Sequence, residues 1–238
     1  MKTEADVQTH AEISFGGARF LADRAGALFW PEERILVVAD LHLEKGSSYA
    51  RFRSHLPPHD TRATLAMLAS LVDLYAPKTV VALGDSVHDR RAWERLEGED
   101  TNAIRTLTSQ VEHWIWVTGN HDPDPPQNVD GSSVSELSVG KIAFRHIPGG
   151  PLSKGQTEIA GHLHPAARVL GRGGSTRRPA FATDGNRMIL PAFGAYAGGL
   201  CLSSGAFRDL FDPTVFRAYV CGRSRVFAVP GSSVLGWR

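Results

Sequence analysis

Thr79-Val80-Val81-Ala82-Leu83-Gly84-Asp85-Ser86-Val87-His88-Asp89 is the stretch that decides the fold. Thr79 to Leu83 are β-branched or apolar without alternation, the pattern of a strand buried on both faces. Gly84 ends the run and sets Asp85 where the backbone leaves the sheet. A carboxylate at the carboxyl end of a buried strand is costly unless a cation or a donor meets it. Read alone, Asp85 is a turn former or helix N-cap before it is a ligand. The rest of the chain reverses that order. The same layout, an apolar run and then a break carrying Asp, His or Asn, recurs at Asp40-Leu41-His42, Gly119-Asn120-His121-Asp122, Arg145-His146 and Gly161-His162-Leu163-His164. Five strand ends converging on one place make a metal site.

Working outward, residues 12–30 read as short strands broken by Gly16-Gly17 and Gly26. Arg34 to Ala39 is a buried strand. If the chain stays extended past it, Asp40 and His42 point the same way. Residues 43–60 read as a polar loop containing Lys45, Arg51, Arg53, His55 and His59. Leu65, Leu68, Leu71, Val72 and Tyr75 have helical spacing, with Asp60 as the expected N-cap and Pro77 beyond the end. One or two helices follow over 90–112, a third buried strand over 114–117, and a Pro-rich loop over 123–133. From residue 134 onward the reading is β-rich: 134–139, 141–146, 157–160, 180–183, 187–190, and a hairpin of 215–221 with 225–229. Residues 168–178 and 194–199 read as Gly-rich loops, the first of them basic. Early strands alternate with helices and later ones do not. This predicts an α/β fold of two face-to-face mixed sheets flanked by helices, four layers in all.

The chain has 238 residues, 42% of them hydrophobic, enough for one substantial core, so 1–238 reads as a single domain. No run of about 18 apolar residues argues for a membrane span. The polar, acidic N-terminus lacks a secretory apolar segment, and Cys201 and Cys221 form no disulfide or CxxC pattern. A cytoplasmic location is expected. The formal charge of +1 is neutral evidence about nucleic acid, since an enzyme that grips phosphates only at its active site needs no basic excess.

The candidate metal ligands are Asp40, His42, Asp85, Asn120, His146, His162 and His164. Imidazole nitrogens mixed with carboxylate and amide oxygens suit Mn, Fe, Zn or Ni, whereas Mg and Ca prefer oxygen shells. Seven ligands are too many for one ion and suit two if a carboxylate bridges. Two divalent ions outweigh two carboxylates, so the site favours an anionic substrate. Ion pairs roughly 3.5–4 Å apart activate water and clamp both oxygens in phosphoryl chemistry.

In this order these motifs resemble those of the calcineurin-like metallophosphoesterases, over about residues 34–165. The resemblance implies one metal on Asp40, His42, Asp85 and His164, and a second on Asp85, Asn120, His146 and His162, with Asp85 bridging. It also implies His121 as general acid, oriented by Asp122. Asp40-Leu41-His42-Leu43-Glu44-Lys45-Gly46, Gly84 to Asp89 and Ile189 to Leu200 are similar to the narrower family of bacterial DNA ligase-associated metallophosphoesterases. That likeness implies a manganese-dependent phosphodiesterase acting as a DNA endonuclease in repair, encoded beside a ligase, a helicase and an exonuclease. A homodimer is left open. The alternative within the enzyme class is a phosphatase or pyrophosphatase of small nucleotides. A non-catalytic binding module on this fold would have lost ligands, and here all seven stand.

Around the site, His88 and Asp89 are either partners of the ligands or a helix-capping pair. Lys45, Arg51 and Arg53 either meet phosphates or are solvated. Arg168, Arg172, Arg177 and Arg178 are the candidate phosphate contacts because they directly follow His164. Tyr196 either lines the cleft or packs within its loop.

Overall fold

The computed structural model describes residues 9–50, 59–124, 129–171 and 173–237. Among these, a first sheet takes its strands in chain order: β1 (His10–Phe15), β2 (Ala18–Asp23), β3 (Leu28–Trp30), β4 (Ile35–Val38), β5 (Thr79–Leu83), β6 (His113–Val117) and β7 (Ser132–Val134). The first four are antiparallel neighbours, and β4 to β7 run parallel. The second sheet contains β8 (Glu136–Val139), β9 (Ile142–Arg145), β10 (Thr157–Ala160), β11 (Pro165–Gly171), β12 (Gly174–Thr183), β13 (Arg187–Ile189) and β14 (Leu200–Cys201). Its order is β14-β11-β12-β13-β10-β9-β8, with β15 (Arg217–Cys221) on β12 and β16 (Val226–Pro230) on β15. Strand β10 lies parallel to both β9 and β13.

The chain crosses between sheets at Ser135. The single strand expected over 134–139 is therefore two, one pairing with β6 and the other with β9. Phe15, Phe20, Leu83, Phe144, Ile159, Phe181 and Met188 fill the space between the sheets. On the outer face of the first sheet, helix α2 (Asp60–Tyr75) buries Leu65, Leu68, Leu71 and Val72, and α3 (Gly98–Ser109) buries Ile104 and Leu107. Each fully buried side chain of that size contributes about 1.5–3 kcal/mol. The outer face of the second sheet is covered differently. Phe207, Phe211, Phe216 and Val234 come from loops and two 3₁₀ turns, because residues 203–216 hold Gly205 and Pro213 and carry no helical apolar period.

Two stretches expected to be loops are ordered elements. Lys45–Ala50 forms a short helix, α1, whose start is held by Gly46 N–H donating to Asp60 Oδ2 at 3.0 Å. That carboxylate is thus engaged by α1 and does not cap α2 as expected; α2 has no side-chain cap. Residues 168–171 and 174–178 lie in the paired strands β11 and β12, where Arg168 faces Arg177. Arg51, Arg53, His55 and Arg172 lie outside the described residues. Among the described residues, no helix is long and apolar enough to cross a membrane.

A buried ion pair joins β10 to β13. Arg187 Nε donates to Glu158 Oε1 at 2.6 Å, and the rest of its guanidinium donates to the carbonyls of Leu210, Gly149 and Gly150. Glu158 Oε2 accepts from Gly149 N–H at 2.9 Å and lies 3.3 Å from Arg145 Nε.

Candidate metal centre

Strands β4, β5, β6, β9 and β10 all release their chains at one rim between the sheets, so every predicted ligand arrives at a strand's carboxyl end. The loops are laced together by backbone bonds. Asp40 and His42 donate N–H to the carbonyls of Gly84 and Asp85, and Gly161 donates to His146 O at 3.0 Å. Across the sheets, His162 N–H reaches Asp40 Oδ2 at 3.0 Å.

The extended conformation expected for Asp40 and His42 is not adopted. Asp40, His42, Asp85, His162 and His164 have φ of 56°, 44°, 47°, 69° and 45°, the left-handed region that L-residues avoid. Each such residue costs about 1–3 kcal/mol, and such strain gathers where the surroundings over-determine a site. Glycine permits the crowding at two points. Gly84, at φ 75°, faces His146, whose ring a Cβ there would overlap. A Cβ on Gly119 would overlap the Asp85 carboxylate.

The ligand atoms form two triads, Asp40/His42/His164 and Asp85/His146/His162, with donors in each all within 4.8 Å of one another. His42 Nε2 and His164 Nε2 face each other at 3.2 Å, and His164 Nε2 lies 3.1 Å from Asp40 Oδ1. His146 Nε2 lies 3.3 Å from Asp85 Oδ1 and 3.0 Å from Asn120 Oδ1. Ligands bonded at about 2.0–2.2 Å to one cation stand roughly 3 Å apart along the edges of its polyhedron. His146 Nδ1–H donates to Leu83 O at 3.1 Å, which turns the Nε2 lone pair toward two acceptor oxygens. Lone pairs aimed at lone pairs need a positive charge between them. The donor set fits divalent cations, and buried His42 Nδ1 has no hydrogen-bond partner among the described residues.

The protein's own field prepares this. Burial, then the neighbouring His164, pushes the His42 imidazole down to about 3, which keeps it neutral and able to donate a lone pair.

His121 sits at the rim with its side chain 40% exposed and Nε2 3.9 Å from Asp85 Oδ2. Its Nδ1 is 2.7 Å from His88 O, and its ring stacks on that of His88 with centroids 5.7 Å apart. The orienting bond expected from Asp122 is absent. Asp122 Oδ1 accepts from the N–H groups of Asp85 and Gly119 at 3.0 and 2.9 Å, and Oδ2 from Ser86 at 2.7 Å. Asp122 clamps the loop that carries Asp85. Burial pushes its carboxyl up to about 6 even though Ser86 N–H opposes the shift.

Asp89 is engaged elsewhere, in a two-point pair with Arg95 at 2.6 and 2.9 Å. Two supports went unread in the sequence. Buried Glu44, at φ 63°, accepts from Thr61 and Ser47 hydroxyls, and Thr64 Oγ1 accepts from Ala195 N–H at 3.0 Å. A charged residue two positions past His42 was the available signal for the first; a threonine on a helix offers none. Tyr196 is half-buried in the loop following Gly194. Arg168 and Arg177 are exposed and Arg178 half-buried, on the hairpin that leaves the site after His164.

The family model for calcineurin-like phosphoesterases matches residues 33–176. The crystal structure of Pseudomonas putida nuclease MPE is similar at 28% identity with a TM-score of 0.71, covering 92% of this chain and 100% of that one. The Escherichia coli phosphoesterase Yfce aligns at 11% identity and a TM-score of 0.42, over 82% of this chain and 98% of that one. Comparison with curated proteins gave no match.

Proposed function

Because the chain belongs to the calcineurin-like phosphoesterase family and is a hydrolase of phosphoester bonds, we propose that it is a manganese-dependent phosphodiesterase that cuts DNA. The observation that carries this reading is the pair of facing triads. Asp40, His42, Asp85 and His164 would hold one cation, and Asp85, Asn120, His146 and His162 the other, with Asp85 shared. Two such ions supply Lewis acidity toward the phosphate and a more acidic water for attack.

The chain's own groups do the rest. His121 protonates the leaving sugar oxygen from Nε2, its Nδ1–H anchored on the His88 carbonyl. Asp122 holds the Asp85 backbone in register. Arg168, Arg177 and Arg178 contact phosphates beyond the scissile one, with Arg172 assigned from sequence alone. Nucleic acid as substrate is supported by the neighbour that is named a nuclease and aligns over 92% of this chain. A repair role beside a ligase, helicase and exonuclease and the choice of manganese over Fe, Zn or Ni rest on the motif resemblance, and action as one cytoplasmic domain rests on length and composition.

The test is to load the purified protein with single metals and offer circular single-stranded and supercoiled duplex DNA. Circles have no ends, so linear or nicked products in manganese are the expected result. Turnover confined to phosphomonoesters or pyrophosphates would replace this reading with a small-nucleotide phosphatase.

A further inference from the structure

A cavity of about 330 Å³ opens directly beside His164, between the β11–β12 hairpin and the loop that ends at Gly199. Its size is near the lower end of the roughly 300–1,000 Å³ usual for small-molecule sites. Its walls are short and apolar: Ala166 and Pro179 from the hairpin, Ala197 and Gly198 from the loop. Arg177 and Arg178 rim it, and no acidic residue lines it among those described.

The walls are held in place. Gly194 N–H donates to Asp40 O and Ala197 N–H to Gly194 O, while Leu200 N–H donates to His164 O at 2.8 Å. Arg177 closes the remaining side by donating to Gly199 O. The cavity is therefore built onto the same backbone that presents the candidate ligands.

We infer that this cavity is a nucleoside subsite, which seats the base and sugar on one side of the phosphate held at the metal centre. The inference rests on the nuclease reading. A cavity walled by short side chains, edged by guanidinium groups and free of carboxylates among its described lining matches a nucleotide, which joins a ring to an anion. Guanidinium planes stack on bases and pair with phosphates. A base seated here has left its stack, so the subsite reads one unstacked nucleoside next to the cut.

The experiment uses manganese-loaded wild-type protein and a single-stranded oligonucleotide carrying one abasic residue. One of the two bonds flanking that residue should be cut about tenfold more slowly than in the intact strand, with distant bonds unaffected. Equal cutting at both flanking bonds overturns the subsite. Ala197→Leu fills the slot and should raise KM for the intact strand while abolishing the abasic penalty. Gly198→Leu repeats the test at a position where a Cβ meets nothing within 4 Å, should the first variant fold poorly. A folded variant that keeps the full penalty places the base elsewhere and overturns the proposal. If DNA is not cut at all, the nuclease reading falls and the subsite with it; cutting without an abasic effect removes the subsite alone.

Discussion

Among the described residues, two clusters of buried charge are built on opposite principles. In the Glu158–Arg187 cluster charge meets counter-charge: four bonds leave the Arg187 guanidinium, and each Glu158 oxygen accepts from its own partner. In the centre around Asp40 and Asp85, acceptors face acceptors and imidazole nitrogens face each other at 3.2 Å. The first cluster balances its charge within the chain; the second gathers ligand atoms in groups that suit cations. Burial of polar groups alone therefore does not mark a functional site, whereas buried lone pairs with a shared focus do.

Removing a charge from each cluster separates the two principles by the largest effects. If Asp85 is shared by both ions, Asp85→Ala should lower turnover by at least about 10⁴-fold, because each ion supplies several kcal/mol. Metal content by elemental analysis should fall toward zero, more completely than for any other single ligand. A variant with two ions per chain and ordinary activity removes the bridging role. Glu158→Gln should do the reverse. Leaving Arg187 buried without its counter-charge costs about 3–5 kcal/mol. At about 2–4 °C per kcal/mol for a chain of this size, the thermal midpoint should fall by about 6–20 °C. Metal content of the folded protein should stay at the wild-type level. A loss of metal without a loss of stability would make the ion pair part of the centre.

Finer contrasts lie within the centre. If His121 protonates the leaving oxygen, His121→Asn should slow DNA cleavage by about 10²–10⁴-fold, since a sugar alkoxide leaves poorly. A nitrophenyl diester, whose leaving group departs as an anion, should keep much of its rate with both metals bound. Asp122→Asn should behave differently, slowing both substrates alike by about 10–100-fold, because it loosens the loop under Asp85 and not the acid. Selective loss on DNA in that variant would restore Asp122 as the orienting group. The smallest effect concerns the hairpin. Neutralising Arg168 and Arg178 should flatten the log–log salt dependence of DNA binding by roughly one unit or less per lost contact. An unchanged slope with weaker binding would mean that the hairpin shapes the site without touching phosphate.

Much of the architecture is legible along the chain. Thr79–Leu83 reads as a buried strand because no residue in it alternates to polar, and α2 reads as a helix from four leucines and valines on one face. The elements missed are those whose stability is tertiary. Gly46, Ser47 and Ser48 favour no helix, and α1 exists because Asp60 and Glu44 bind its first turn. The basic segment after His164 looks like loop until Ala167, Val169 and Ala180 pack beneath it and the strands pair. The N-cap role expected for Asp60 failed for the same reason: the carboxylate found a nearer donor on another helix.

By itself the sequence determined the ligand types, their order and their placement just past buried strands, because those depend on local apolar runs and the breaks that end them. That was enough for the fold class and the membership in a metal-dependent phosphoesterase family. The tertiary structure brings the ligands together in space as two triads. It did so through left-handed backbone at five of them and through glycines that let Asp85 and His146 pass within van der Waals reach. It also set Asp122 on the backbone of the Asp85 loop and opened the cavity beside His164. Those features depend on which backbone amide or side chain, distant in sequence, arrives within about 3 Å, and no periodicity along the chain encodes that distance.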